Sequence, residues 1–93
     1  MNLIPTKHFD RSYKRFVTHY PYLKSKIQNT LKLMEEVIFN PILNTHKLEG
    51  KLYRLNSCSC GYDCRIIFEI DLNKTTNQEE IILLDIGTHD EIY

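Results

Sequence analysis

KLYRLNSCSCGYDCRIIFEIDLNKTTNQEEIILLDI, residues 51 to 86, is where the chain changes its period. KLYRLNSC at 51–58 alternates, with Leu52, Arg54, Asn56 and Cys58 on one side and Tyr53, Leu55 and Ser57 on the other, the two-residue repeat of a strand. SCGY at 59–62 offers a turn. DCRIIFEIDL at 63–72 is rich in β-branched and aromatic residues and reads as the strongest strand. NKTTNQ at 73–78 is a polar hairpin loop, and EEIILLDI at 79–86 is the last strand. Three strands with short connections make an antiparallel meander.

Upstream the period is helical. Asp10 is placed to cap a helix in which Tyr13, Phe16 and Val17 face inward while Arg11, Lys14 and Arg15 face out. His19-Tyr20-Pro21 breaks it, and Pro21 suits the first turn of a second helix. Leu23, Ile27, Leu31, Met34 and Ile38 then form one apolar stripe, ended by Asn40-Pro41. LIPTKH at 3–8 reads as a short edge strand, because proline is tolerated there. The expected fold is α+β: a three- to four-stranded antiparallel sheet packed by an N-terminal helical hairpin, in one domain spanning residues 1–93.

The first twenty residues carry Lys7, His8, Asp10, Arg11, Lys14 and Arg15, which excludes an apolar signal or spanning segment there and points to the cytoplasm. The net charge is zero, yet residues 1–65 hold eleven Lys or Arg against five Asp or Glu, and residues 66–93 hold one against seven. A fold that gathers the basic half on one face could hold a polyanion. Cys58, Cys60 and Cys64 make an odd count without a disulfide framework, so reduced thiols are expected, and their spacing matches no zinc site. Common nucleotide, zinc-protease and esterase motifs are missing from the sequence.

Four positions carry chemistry in this order. His46 lies among the cations Lys47, Lys51 and Arg54. Asp63 and Arg65 share one side of the second meander strand, where Arg65 either pairs with Asp63 or reaches an anion. His89 follows Gly87, whose permissive backbone would allow a sharp turn, and Asp85 or Asp90 could orient its ring. Antiparallel order brings the end of the third strand back to the start of the second, so Asp63, Arg65 and His89 should meet there. His46, before the first strand, would have to fold back.

FDRSYKRF at 9–16, NPILNTHKLEGKL at 40–52, CGYDCRIIFEI at 60–70 and ILLDIGTHDEIY at 82–93 together resemble the RelE/ParE superfamily of type II toxins, and most closely its YafQ-like messenger-RNA interferase branch. That resemblance implies an endoribonuclease with no metal or other cofactor. Its substrate would be messenger RNA, in many members on the ribosome, and a cognate antitoxin would neutralise it. A base takes the 2′-OH proton, the oxygen attacks the adjacent phosphorus in line, and an acid protonates the leaving 5′-oxygen. Matched position by position, the resemblance assigns His46, Asp63, Arg65, His89 and Tyr93 to catalysis, and Lys47, Lys51 and Arg54 fit RNA binding. Ser59 stands where the branch has a further histidine, and Asn56 and Cys58 stand where RelE has lysines. The alternative within the superfamily is a ParE-like toxin that acts by binding DNA gyrase.

Overall fold

Thr6 starts the first helix. In the computed structural model, which describes residues 1–48 and 54–92, its hydroxyl accepts the Phe9 N–H at 3.1 Å and donates to the Leu83 carbonyl at 2.8 Å. The cap is therefore Thr6 rather than Asp10, which lies inside the first turn of α1 (Lys7–His19). An extended Thr6 also ends β1 (Asn2–Pro5), a shorter strand than the six residues expected. Pro21–Leu23 form a 3-10 turn that leads into α2 (Lys24–Glu36). A second 3-10 turn, Pro41–Leu43, is capped by the Asn40 side chain and precedes the two-residue strand β2 (His46–Lys47).

The meander follows as β3 (Asn56–Gly61), β4 (Cys64–Asn73) and β5 (Gln78–Gly87), and a single short helix, α3 (His89–Ile92), ends the described chain. The Asn73 side chain accepts the N–H groups of Thr75 and Thr76 at 2.9 and 3.2 Å, which folds the β4–β5 loop as the local Asx interaction favours. The alternation read over 51–53 lies outside the described residues.

The sheet has five strands in the order β1-β5-β4-β3-β2, and it is mixed: β1 runs parallel to β5, with Leu3 opposite Ile81 and Pro5 opposite Leu83. The expected class holds, but strand number and direction differ, because β1 and β2 take their partners from segments far along the chain. No local pattern encodes such a pairing. The apolar stripe packs as expected. Ile27 and Met34 of α2 and Phe9 and Phe16 of α1 are buried with Ile66, Phe68, Ile81 and Leu83 of the sheet. Burying each such side chain contributes about 1.5–3 kcal/mol.

The thiol expectation is corrected at the β3–β4 hairpin. A register shift between Ser59 and Gly61 tightens the turn and sets Cys60 beside Cys64, with Cα atoms 5.0 Å apart and the sulfurs bonded. That Cα distance is within the normal span of a disulfide. The odd cysteine, Cys58, is buried with its Sγ 3.7 Å from the Met34 sulfur. Burial pushes its thiol up to about 12, against a smaller opposing pull from the Arg65 charge.

Candidate nucleic-acid interface and active site

The tight β3–β4 turn holds Asp63 in the left-handed region (φ 51°), a conformation that aspartate tolerates better than most residues. From there its Oδ1 accepts the backbone N–H of His89 at 2.9 Å. The sheet makes this possible: Arg65 sits opposite Gly87, so the strand that ends at Gly87 delivers the tail to the start of β4. A carboxylate at the first turn of α3 also lies where the peptide dipoles favour negative charge.

The tail is closed by its own sequence. Thr88-His89-Asp90-Glu91 is a reciprocal capping box: the Thr88 N–H donates to Glu91 Oε1 at 3.0 Å, and the Glu91 N–H donates to the Thr88 hydroxyl at 3.3 Å. Gly87 serves this turn through space rather than through an unusual backbone angle. A Cβ placed there would lie 3.2 Å from Ile92 Cγ1 and 3.3 Å from Glu91 Cβ. Held this way, the His89 side chain remains 62% exposed, with Nδ1 3.7 Å from Asp90 Oδ1. Asp85 is engaged elsewhere, 3.4 Å from His8 Nε2.

Asp63, Arg65 and His89 line one open cleft of about 1160 Å³ between α2 and the edge of β3. Among the described residues no ion pair joins Arg65 to Asp63. Its Nη1 donates instead to the carbonyls of Cys64 (2.9 Å) and Gly61 (3.3 Å), so the guanidinium is held at the turn by neutral acceptors, and among the described residues no carboxylate pairs with it. Ser59, in the place of the family histidine, lines the same cleft, its hydroxyl 3.3 Å from the Gly61 carbonyl.

His46 stands apart. It pairs with Ser57, two residues along β3 from the Ser59–Arg65 pair. Two strand spacings and two residue rises put its Cα about 12 Å from that of Arg65. With Lys47, Arg54 and Phe39 it lines a second cavity of about 610 Å³. Its Nδ1 lies 2.9 Å from the Asn44 carbonyl. A carbonyl only accepts, so Nδ1 carries a proton in this contact, which leaves Nε2 as the lone-pair nitrogen of the neutral ring. Lys51 and Tyr93, both expected at the site, lie outside the described residues. Among the described residues no cluster of three or more His, Cys, Asp or Glu is placed to hold a metal ion.

The family model for YafQ, a bacterial toxin of type II toxin–antitoxin systems, matches residues 1–93. The chain belongs to the YafQ toxin family. Solved structures carry the same fold across nearly their whole length. YafQ from E. coli BL21(DE3) superposes with a TM-score of 0.77 at 12% identity, covering 99% of this chain and 97% of that one. In the E. coli DinJ–YafQ toxin–antitoxin complex the corresponding values are 0.71, 13%, 99% and 96%. A metal-bound toxin from Helicobacter pylori gives 0.70 at 24%, covering 100% and 99%. Comparison with curated protein sequences gives no match. No described helix is long and apolar enough to cross a membrane.

The sequence reading missed three features of this YafQ-family site: the capping box, the disulfide beneath the turn, and the contribution of α2 to the cleft wall. Thr88 and Glu91 at capping-box spacing signalled the first. Cys60 and Cys64 flanking a turn signalled the second. Nothing in the α2 stripe signals the third, because the cleft-lining residues lie off its apolar face.

Proposed function

We propose that this chain is a metal-independent endoribonuclease that cuts messenger RNA in the cytoplasm, at the ribosome, and is held inactive by a cognate antitoxin. The observation that carries this reading is the shared cleft of Arg65, Asp63 and an exposed His89.

Arg65 supplies the grip. A guanidinium anchored by carbonyls can turn its remaining N–H groups to a phosphate and stabilise the charge that builds on the phosphorane. His89 acts as general acid on the leaving 5′-oxygen, and Asp63 positions it through the backbone. His46 acts as base through Nε2. In the sheet order Arg65 on β4 lies between β2, which bears His46, and β5, which leads to His89. A phosphate on Arg65 is thus approached from both sides, as in-line displacement by a 2′-OH requires. With about 12 Å between the His46 and Arg65 Cα atoms, His46 meets the 2′-OH when the bound strand runs from the turn along β3 toward β2. Lys47 and Arg54 beside His46 offer charge to the continuing strand.

The antitoxin is the expected cover for this surface, since the exposed Lys7, Arg11, Lys14 and Arg15 of α1 and Lys24, Lys26 and Lys32 of α2 leave the helical layer strongly basic. Sequencing RNA ends after brief induction tests the reading. Defined messenger cuts with 2′,3′-cyclic phosphate and 5′-hydroxyl ends, suppressed by co-expressing the adjacent antitoxin, are the expected result. Growth arrest with DNA damage and intact messengers would overturn it in favour of gyrase binding.

A further inference from the structure

Two aromatic rings beside the cleft have no part in the chemistry above. Tyr62, at the tip of the β3–β4 turn, is 96% exposed, and Tyr22, in the 3-10 turn before α2, is 76% exposed. Both line the cleft that holds Arg65 and His89, and both also line a smaller neighbouring hollow of about 200 Å³. The rings therefore share a wall at one end of the site.

Tyr22 is tied to the core by its ring, and Tyr62 is placed by the backbone of its turn. Tyr22 meets Tyr20 edge-on, with centroids 6.3 Å apart and planes at 90°, and Tyr20 meets the buried Phe16 at 4.9 Å. That chain of edge contacts ties Tyr22 to the core. Tyr62 precedes Asp63, which is fixed by its bond to the tail, and follows Gly61, whose φ of +139° is a glycine conformation. A Cβ at Gly61 would lie 3.4 Å from Lys26 Cδ and 3.6 Å from Cε, so the Lys26 stem lies against the turn. Arg65 donates to the Gly61 carbonyl from β4. Two cations, one from α2 and one from β4, thus bracket the turn that presents Tyr62.

Exposed rings beside a cationic groove are the elements of a single-strand nucleic-acid site: bases stack on the rings while cations follow the phosphates. We propose that Tyr22 and Tyr62 form a base-stacking subsite for the nucleotide next to the cut, with Lys26 on its phosphate. This rests on the ribonuclease reading and assigns it a specificity wall on the α2 side, opposite the His46 cavity. A base can stack on a ring only when it is unpaired, so the subsite takes an unpaired nucleotide of the messenger.

Binding of a 2′-O-methyl RNA oligonucleotide, which has no 2′-OH to attack, separates the subsite from the chemistry. Tyr62→Ala and Tyr22→Ala should each weaken binding roughly 5- to 150-fold, as loss of one stacked base implies, while Tyr62→Phe and Tyr22→Phe retain it. On cleavable RNA the alanine variants should raise KM far more than they lower kcat. An abasic nucleotide at the stacked position should weaken wild-type binding and leave Tyr62→Ala indifferent. Unchanged affinity in both alanine variants, with wild-type cleavage intact, would overturn the subsite and leave the ribonuclease reading standing. Weakened antitoxin binding with unchanged RNA affinity would also overturn it, and would assign the rings to the protein partner. A wild-type protein that neither binds nor cuts RNA, whether free or on ribosomes, would sink both readings together.

Discussion

The two ends of β3 meet different fates. At its C-terminal end, a disulfide, a left-handed aspartate and a capping box converge on one turn and hold His89 in place through the main chain. At its N-terminal end His46 stands on a two-residue edge strand, and its ring Nδ1 bonds the carbonyl two residues back. One histidine is held by a side-chain bond from across the sheet, the other by a short strand pairing and a bond within its own loop. Where several independent constraints meet, the geometry survives the loss of any one of them in part. Where one local bond acts, the residue depends on its substrate for final placement.

That contrast can be broken most severely at Arg65. Arg65→Ala should lower the cleavage rate roughly 10²–10³-fold, as removal of a charge-stabilising donor does, with the fold retained by circular dichroism. A rate within threefold of wild type would move the phosphate away from this turn. Next is the disulfide. Replacing both Cys60 and Cys64 with Ala should cost about 2 kcal/mol in denaturant unfolding, the modest figure set by so short a loop. It should also loosen Asp63 and His89 while leaving the His46 loop unchanged in hydrogen exchange. Equal changes at both ends of β3 would erase the distinction.

Smaller effects sharpen it. Asp63→Ala should remove one charge-assisted bond at the tail and slow cleavage by about tenfold, with no change at His46. An unaltered rate would show that the capping box alone holds His89. The smallest effect lies at Cys58. Its folded thiol keeps its proton to about 12, whereas the unfolded thiol releases it from 9.0. The unfolded state then binds fewer protons, and stability falls as pH rises above the lower value, by under ~1 kcal/mol near pH 9.5. Cys58→Ala should flatten that slope when stability is measured by urea titration at a series of pH values. An unchanged slope would assign it to other groups.

Much of this was legible in the residues themselves. The i, i+4 stripe from Leu23 to Ile38 and the β-branched run of β4 were readable because helix and strand periods depend on near neighbours. The convergence of Asp63, Arg65 and His89 followed from antiparallel order alone. The parallel pairing of β1 with β5 was hidden, since its partners are almost eighty positions apart. Thr6 displaced Asp10 as the cap because its hydroxyl also reaches the Leu83 carbonyl on β5, a tertiary contact invisible in the local sequence. Tyr22, Lys26 and Tyr62 carried no signal of their own, because a cleft wall is made by the packing of α2 against the β3 edge.

The most direct test is a rate comparison on purified protein: His89→Ala against wild type on ribosome-bound messenger RNA, with binding to 2′-O-methyl RNA measured alongside. Cleavage should fall roughly 10²–10⁴-fold, the usual contribution of a general acid, while the uncleavable RNA still binds. Cleavage at the wild-type rate by His89→Ala would contradict the assignment of this cleft as the place where the strand is cut.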